Sequence, residues 1–235
     1  MATYKGIQGY SVKKLSSDPT ASQAQGQLWY NTTVGKFKIA VAGAGAWASG
    51  NNMNSARSGT TGAGIQTAAF IAAGSTGPAS VVLHEQYDGS TWTEAADINT
   101  LRNETANAGT TAAGLIFGGN APNDDLTETW NGTSWAETSD LNTGRSYLGR
   151  AGTQTAALAI AGYNPGSTYI TNTESYNGTS WTEVNDLNTT RNELKGTGTT
   201  TAGLAFGGYV TAASASTEEW NEPVEATVTF DASDV

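Results

Sequence analysis

The stretch TETWNGTSW, residues 127–135, recurs almost unchanged as TESYNGTSW at residues 173–181. A looser copy, HEQYDGSTW, occupies residues 84–92. Self-similarity at a fixed period of roughly 20 to 50 residues is the signature of repeat architectures. The stretch therefore predicts that the chain is built from copies of one structural unit.

Four classes of residue recur at matching intervals. The tryptophans are spaced 45, 43 and 46 residues apart, and the arginines and glycines show the same spacing. Every arginine precedes its glycine by 17 residues, so length variation is confined to the segment after the glycine. Four units of about 45 residues predict a solenoid or a propeller. The positions are Trp47, Trp92, Trp135 and Trp181; Arg57, Arg102, Arg145 and Arg191; Gly74, Gly119, Gly162 and Gly208; and Glu85, Glu128, Glu174 and Glu218.

Within each unit the pattern is that of short β-strands. The runs TAAGLIFGG (111–119) and TAGLAFGG (201–208) predict short buried strands that end at glycine. Asn131-Gly132 and Asn177-Gly178 predict two-residue hairpin turns, in which both residues have a positive φ. Each unit then has four strands: one after the arginine, one ending at the glycine, one with the glutamate and one with the tryptophan. A four-stranded antiparallel unit of this length is typical of a propeller blade.

The glycine pair, the later aromatic residue and the tryptophan about five residues beyond it resemble the kelch repeat. The resemblance covers residues 45–222 and implies an all-β, kelch-like β-propeller of four blades. Ala73 and Ala161 depart from the glycine pair in the first and third blades. The fourth blade has no tryptophan after Trp220, so we expect the segment Lys36–Trp47 to close the ring as its outer strand. The alternative is an open array completed by other subunits.

The N-terminal part lies outside the repeat. Residues 26–39, GQLWYNTTVGKFKI, predict two strands around a turn. They resemble a segment near the start of phage virion proteins, notably tail-fibre and appendage proteins of phages that infect marine bacteria. The repeats, rich in NGTSW and TTAGLAFGG, are similar to those of the same proteins. The resemblance implies an assembly or anchoring role for Leu28, Trp29, Tyr30 and Phe37, although an ordinary hairpin is the alternative.

We therefore divide the chain into three parts. Residues 1–35 form an N-terminal arm and hairpin for assembly, residues 36–222 form the propeller, and residues 223–235 form a C-terminal strand or tail. Because each blade must solve the same packing problem, we expect the repeated Trp, Arg and Glu residues to form the repeat core. Recognition is expected in the variable loops after each glycine, since function concentrates in loops on a rigid scaffold.

The composition limits the chemistry that the chain can perform. A net charge of −10 argues against nucleic acid or an anionic membrane surface as a partner. Cysteine is absent and His84 is the only histidine, so we expect no zinc or copper site and no Ser-His-Asp triad. The run Asn123-Asp124-Asp125 is a calcium candidate, but a solvated loop is the simpler interpretation. No membrane insertion, catalytic residue, cofactor or metal is therefore expected.

These observations favour a non-enzymatic structural protein of a phage virion, either an appendage, a fibre or a decoration protein. It would be assembled in the host cytoplasm and carried in many copies on the particle, as a homo-oligomer or bound to other virion proteins. It would act in assembly and in attachment to a host surface glycan. The alternatives are a carbohydrate-active or carbohydrate-binding propeller of bacterial origin, and a free bacterial scaffold.

Overall fold

The structure is a computed structural model that describes residues 12–19, 27–39, 46–120, 122–166 and 168–222. All regular elements in these ranges are β-strands, which form five small sheets. The described residues contain no helix that is long and apolar enough to cross a membrane. The chain divides into two units, Met1–Ser49 and Gly50–Val235. The all-β prediction is therefore confirmed.

The first unit contains one three-stranded sheet. Strand β1 (Lys13–Leu15) lies parallel to β2 (Leu28–Asn31), and β2 pairs antiparallel with β3 (Lys36–Ile39). In the connecting turn, Asn31 Oδ1 accepts hydrogen bonds from the backbone N–H groups of Thr33 and Val34 at 3.0 and 3.1 Å. The predicted hairpin around residues 31–35 is thus confirmed.

The second unit contains four antiparallel sheets, which we number I to IV. Sheet I consists of β4 (Thr61–Ile65), β5 (Ala68–Ala72), β6 (His84–Tyr87) and β7 (Trp92–Glu94). Sheet II consists of β8 (Ala106–Gly109), β9 (Gly114–Phe117), β10 (Thr127–Trp130) and β11 (Trp135–Glu137). Sheet III consists of β12 (Gly149–Thr153), β13 (Ala156–Asn164), β14 (Thr168–Tyr176) and β15 (Trp181–Val184). Sheet IV consists of β16 (Lys195–Gly198), β17 (Ala202–Phe206) and β18 (Thr217–Asn221).

Buried apolar side chains join each sheet to the next. Phe70 of sheet I packs against Trp135 of sheet II, with ring centroids 6.2 Å apart. Phe117 of sheet II packs against Trp181 of sheet III at 4.9 Å. A third cluster, which includes Leu158, joins sheets III and IV. The core is therefore a series of interfaces between successive sheets.

In sheets I to IV, one residue in or directly after the second strand has the same left-handed backbone conformation. Ala73 and Ala161 have φ values of 57° and 51°, close to the 68° and 67° of Gly118 and Gly207. Alanine is strained in this left-handed region, whereas glycine is not. The two alanines are therefore equivalent to the first glycine of the pair in the other two sheets, which supports the register of the repeat.

The predicted two-residue hairpin turn is wrong. Trp130 pairs with Trp135, so the loop between β10 and β11 has four residues. Only its Gly132 has a positive φ, of 92°. Asn131 Oδ1 accepts hydrogen bonds from the backbone N–H groups two and three residues later, both at 2.9 Å. This side-chain turn replaces the second left-handed residue, and the Asn177 loop has the same hydrogen bonds.

In the described residues 36–39 and 46–47, the expected closing strand of sheet IV is not formed. Lys36–Ile39 is β3 and pairs with β2, its neighbour across a short turn, because a short loop costs less conformational entropy to close. Residues 46–49 form no strand, and residues 40–45 and the expected C-terminal strand in 223–235 lie outside the described residues. Within the part of the chain that the structure describes, sheet IV has three strands and no strand pairs with the outer edge of β18.

Candidate functional site

One carboxylate, buried in sheets I to III and partly exposed in sheet IV, holds together the entry to each repeat sheet. In sheet III, Arg145 Nη1 donates to Glu174 Oε1 at 2.7 Å. The backbone N–H and side-chain amide of Asn142 both donate to Glu174 Oε2 at 2.8 Å. The amide of Asn142 also reaches the carbonyl oxygen of Trp181 at 3.2 Å. Arginine and glutamate form this ion pair in every sheet, at 3.0, 2.8, 2.7 and 2.8 Å: Arg57–Glu85, Arg102–Glu128, Arg145–Glu174 and Arg191–Glu218.

The same arginines connect neighbouring sheets through their backbone. The carbonyl of Arg102 accepts a hydrogen bond from Gly74 N in the preceding sheet at 3.0 Å. Arg145 and Arg191 accept equivalent bonds from Gly119 and Gly162. The four arginine side chains are fully buried, and burial lowers the pKa of Arg57, Arg102 and Arg145 while the facing glutamate opposes the shift. The structure therefore places the Arg and Glu residues inside the sheets, with no ring of side chains open to a ligand.

The tryptophans of the repeat occupy three different environments. Trp135 and Trp181 are buried in the interfaces between sheets. Trp92 is half-buried and packs on Tyr87, with ring centroids 5.0 Å apart. Trp47 is fully exposed, at 104%. The core position predicted for Trp47, which lies in the first unit, therefore stays a prediction.

The four candidate anchoring residues lie on opposite faces of the N-terminal hairpin. Tyr30 pairs with Phe37 across the hairpin, and Leu28 lies two residues from Tyr30 on the same face. Trp29 lies on the other face, where its indole N–H donates to Asp18 Oδ1 at 3.1 Å. Leu28 and Phe37 are exposed, whereas Trp29 is buried.

His84 is buried among aromatic side chains. It is 1% exposed and lies edge-on to the rings of Trp130 and Trp135, at 4.6 and 5.4 Å. Burial lowers its pKa below the usual value. Among the described residues, no three His, Cys, Asp or Glu side chains come together as a possible metal site.

The first strands of sheets I to IV line a common space, which we call the inner-strand cavity. Its volume is about 280 Å³, and Gly62, Asn107, Arg150 and Thr197 each come from a different sheet. A Cβ at residue 196 would lie 2.5 Å from the carbonyl oxygen of Arg150, so glycine is required where β16 approaches β12. Most of the lining is glycine and alanine, and Arg150 is its one charged residue.

At one side of this cavity lies a second space of about 350 Å³, which we call the rim pocket. It is lined by Thr60, Glu104, Thr105, Tyr147, Leu148, Arg150, Glu193 and Lys195. Arg150 lines both spaces. The pocket therefore collects charged and aromatic side chains from successive sheets at one point.

The rim pocket is built on equivalent left-handed residues. Gly59, Glu104, Tyr147 and Glu193 each lie two residues after the repeated arginine and have φ between 54° and 58°. The backbone N–H of Glu104 donates to Gly59 O, that of Tyr147 to Glu104 O, and that of Glu193 to Tyr147 O, at 2.9, 3.2 and 2.8 Å. A left-handed non-glycine residue costs about 1–3 kcal/mol and persists only where its surroundings hold it. This string of hydrogen bonds supplies that support.

Electrostatic shifts concentrate in the rim pocket. Burial, and secondarily the Glu193 carboxylate, raise the pKa of Glu104, while Lys195 opposes the shift. Burial and both carboxylates raise the pKa of Tyr147. Burial alone lowers the pKa of Arg150, which forms no ion pair within the described ranges. Groups with shifted pKa values that meet in one pocket are typical of functional sites.

Sequence reasoning missed these residues because it looked for what the repeats share. Two and five residues after each arginine, the repeats have Gly59, Glu104, Tyr147 and Glu193, and Gly62, Asn107, Arg150 and Gly196. The signal was present as chemical variation at fixed positions of the repeat. Sequence reasoning also missed Asn54, Asn99, Asn142 and Asn188, which lie three residues before each arginine and share its glutamate.

A groove of about 280 Å³ lies between sheets III and IV and is lined by Leu158, Thr173, Asn188 and Trp220, among others. It corresponds to the place that Trp181 fills between sheets II and III, where the indole N–H donates to Thr127 at 3.0 Å. Thr173 is the residue equivalent to Thr127, one before the repeated glutamate. The groove therefore has the position of a tryptophan site in the repeat.

No protein-family model matches the chain, and a search of curated proteins finds no match.

The raised pKa of Glu104 makes stability depend on pH. Folding favours the protonated carboxyl, so the folded protein loses stability as the pH rises through this pKa, above the usual 4.5. We expect Glu104→Gln to be more stable than the natural chain at about pH 7 and nearly equal to it at about pH 4, as measured by urea unfolding. Glu137→Gln, on the exposed part of β11, is the matched control. The same pH dependence in both variants would contradict the assignment.

Proposed function

We propose that the protein is a non-enzymatic structural component of a phage virion, present in many copies as an appendage, fibre or decoration protein. The first unit anchors it to other copies of the chain, and the repeat unit is displayed on the particle. The observation that carries this proposal is the exposed apolar face of the N-terminal hairpin. The resemblance of residues 26–39 and of the repeats to phage tail-fibre and appendage proteins agrees with it.

The two faces of the hairpin differ in chemistry. On one face Leu28, Phe37 and Ile39 are 43%, 65% and 57% exposed, with Tyr30 between them. On the opposite face Asp18 binds Trp29 and Lys38. A three-stranded sheet of this size needs a packed apolar face to be stable. A second chain that covers this face would supply that packing.

Display in many copies suits a binding module that is weak on its own. When several copies engage one surface, the later binding events become intramolecular and the overall affinity rises without any new contact. A host surface glycan is a repetitive target of this kind. The proposed place of the protein is therefore the phage particle, after assembly in the host cytoplasm.

We also propose that sheets I to IV are the blades of a four-bladed, kelch-like propeller. In support, β8 contacts both β4 and β12, β12 contacts β16, and all four first strands line the inner-strand cavity. The ring would close when the segment that carries Trp47 adds to the open edge of β18 and places its indole in the groove beside Thr173. Trp47 precedes Arg57 by 10 residues, as Trp181 precedes Arg191.

A second candidate function is carbohydrate binding or turnover by a bacterial propeller. The rim pocket favours it, because two carboxylates and a tyrosine line one space. Turnover of a polysaccharide that Glu104→Gln or Glu193→Gln abolishes would favour this function over the structural one.

Self-association tests the virion proposal. The double variant Phe37→Ser with Ile39→Ser should convert an oligomer of the purified chain to a monomer, because it removes apolar area from the exposed face. Light scattering after size-exclusion chromatography measures the mass. Ile65→Ser, at an equally exposed position of the repeat unit, should leave the oligomer intact. A natural chain that is monomeric at every concentration, and absent from particles viewed by electron microscopy with a specific antibody, would overturn the proposal.

Hydrogen exchange tests the closure of the ring. If a Trp47-bearing strand pairs with β18, the amides of Thr217–Asn221 should be protected in the natural chain and should lose protection in Trp47→Ser. Trp92→Ser, which changes the outer strand of sheet I, should not affect β18 in the same way. Equal exchange of β18 in the natural chain and in Trp47→Ser would contradict closure. Protection that grows with protein concentration would instead indicate the open array completed by another subunit.

A further inference from the structure

Arg150 is a cation without an acidic partner in the middle of the repeat unit. Its guanidinium makes one hydrogen bond, from Nη2 to Gly62 O at 3.4 Å, and it forms no ion pair among the described residues. A guanidinium has five N–H donors in a planar fork that matches a carboxylate. The other arginines of the repeat each face a glutamate, so Arg150 differs from them in lacking its anion.

Two further donors close to Arg150 also lack partners. Asn107, which lines the inner-strand cavity, is 2% exposed, and its Oδ1 accepts from Thr61 at 2.8 Å while its Nδ2 has no partner in the described part of the chain. The hydroxyl of Thr105, which lines the rim pocket, is buried and has no partner there either. Buried polar groups normally form hydrogen bonds, and those that do not need an explanation. The two donors therefore leave unsatisfied polarity next to the spaces that Arg150 lines.

The rim pocket offers the complementary chemistry. Glu104 and Glu193 supply carboxylate acceptors, Lys195 supplies an ammonium donor, and Tyr147 supplies a ring and a hydroxyl. A ring hydroxyl can donate to a carboxylate and accept from an ammonium group. The ligand that suits both spaces therefore carries one carboxylate and several hydroxyls.

We propose that the inner-strand cavity and the rim pocket form one non-covalent binding site for a carboxylated sugar residue, such as a uronic acid of a surface glycan. Arg150 binds the sugar carboxylate through its guanidinium fork. Glu104 and Glu193 accept hydrogen bonds from the ring hydroxyls, and Tyr147 packs against the ring. The combined spaces, of about 280 and 350 Å³, suit a single sugar ring. This site deepens the proposed function, since it gives the displayed unit a specific class of host glycan.

Calorimetric titration of the full chain with three probes separates the parts of the proposal. Glucuronate has both the carboxylate and the ring, glucose has only the ring, and acetate has only the carboxylate. We expect glucuronate to bind roughly tenfold or more tightly than either of the others, because only glucuronate engages both spaces. Equal binding of glucose and glucuronate, or no binding of glucuronate, would overturn the proposal.

Variants then test the residues. Arg150→Gln should weaken glucuronate binding roughly tenfold or more and leave the small affinity for glucose unchanged, because the charge-assisted pair is lost. Arg150→Lys keeps the charge but not the planar fork of donors, so its affinity for glucuronate should be intermediate. This variant replaces Arg150→Gln in the test if the glutamine variant does not fold. Lys36→Gln, an exposed cation of the first unit, is the matched control and should have no effect. Unchanged glucuronate binding in a folded Arg150→Gln would overturn the site.

Failure of this site and failure of the virion proposal give different results. A protein that associates with particles but does not bind glucuronate refutes the sugar site alone. A protein that binds glucuronate through Arg150 but is monomeric and absent from particles refutes the virion role and leaves the site, in agreement with a bacterial carbohydrate-binding protein.

Discussion

The repeat unit depends on one carboxylate in each of sheets I to IV, which pairs with a buried arginine. The glutamate on the third strand accepts hydrogen bonds from an arginine and an asparagine of the loop that enters the sheet. A buried charge is tolerated only when it is paired and hydrogen-bonded, so all three residues must keep their spacing. The loop also carries the carbonyl that binds the preceding sheet, through Gly119 N for Arg145. One carboxylate thus fixes both the start of its own sheet and the distance to its neighbour.

The hydrogen-bonded group of glutamate, arginine and asparagine, which we call the clamp, explains which parts of the chain vary between repeats. The Nε atom of every repeated arginine lacks a hydrogen-bond partner among the described residues, so the ion pair is not optimised for stability alone. Removing one member of a buried pair is costly, whereas replacing both members by apolar groups can be neutral. We infer that the pair specifies the path of the loop. The repeats therefore differ at residues that take no part in these hydrogen bonds. Segment length varies after each glycine, and residue type varies at the positions that line the rim pocket.

The sequence predicts the repeat well because its signals are local and periodic. The spacing of Arg145, Gly162, Glu174 and Trp181 indicates the strand order of a sheet, and the structure has that order. The loop length of the hairpin at Asn131 was harder to predict. The asparagine side chain accepts hydrogen bonds from the backbone of the loop, so a second residue with positive φ is not needed. The strand that pairs with Lys36–Ile39 could not be predicted. The repeat pattern leaves the edge of β18 open for it, whereas the nearby β2 offers a pairing across a short turn.

The candidate site was beyond sequence reasoning for a different reason. Glu104, Tyr147, Arg150 and Glu193 lie in three repeats, and only the packing of the first strands brings them to adjacent spaces. Each of them substitutes for a small or neutral residue in another repeat. The repeated residues form the scaffold, and the residues that differ between repeats supply the charged and aromatic side chains of the candidate site.

A double-mutant cycle on Arg145 and Glu174 measures whether the buried ion pair specifies the entry loop. If the buried pair specifies the entry loop, Arg145→Met and Glu174→Leu should each lower the free energy of unfolding by about 3–5 kcal/mol, because each leaves a buried charge unpaired. The double variant should then lose clearly less than the sum of the two single losses, because no unpaired charge remains and only the donors of Asn142 are left without their acceptor. Losses that simply add in the double variant would show that the two residues act independently and that the pair does not specify the loop.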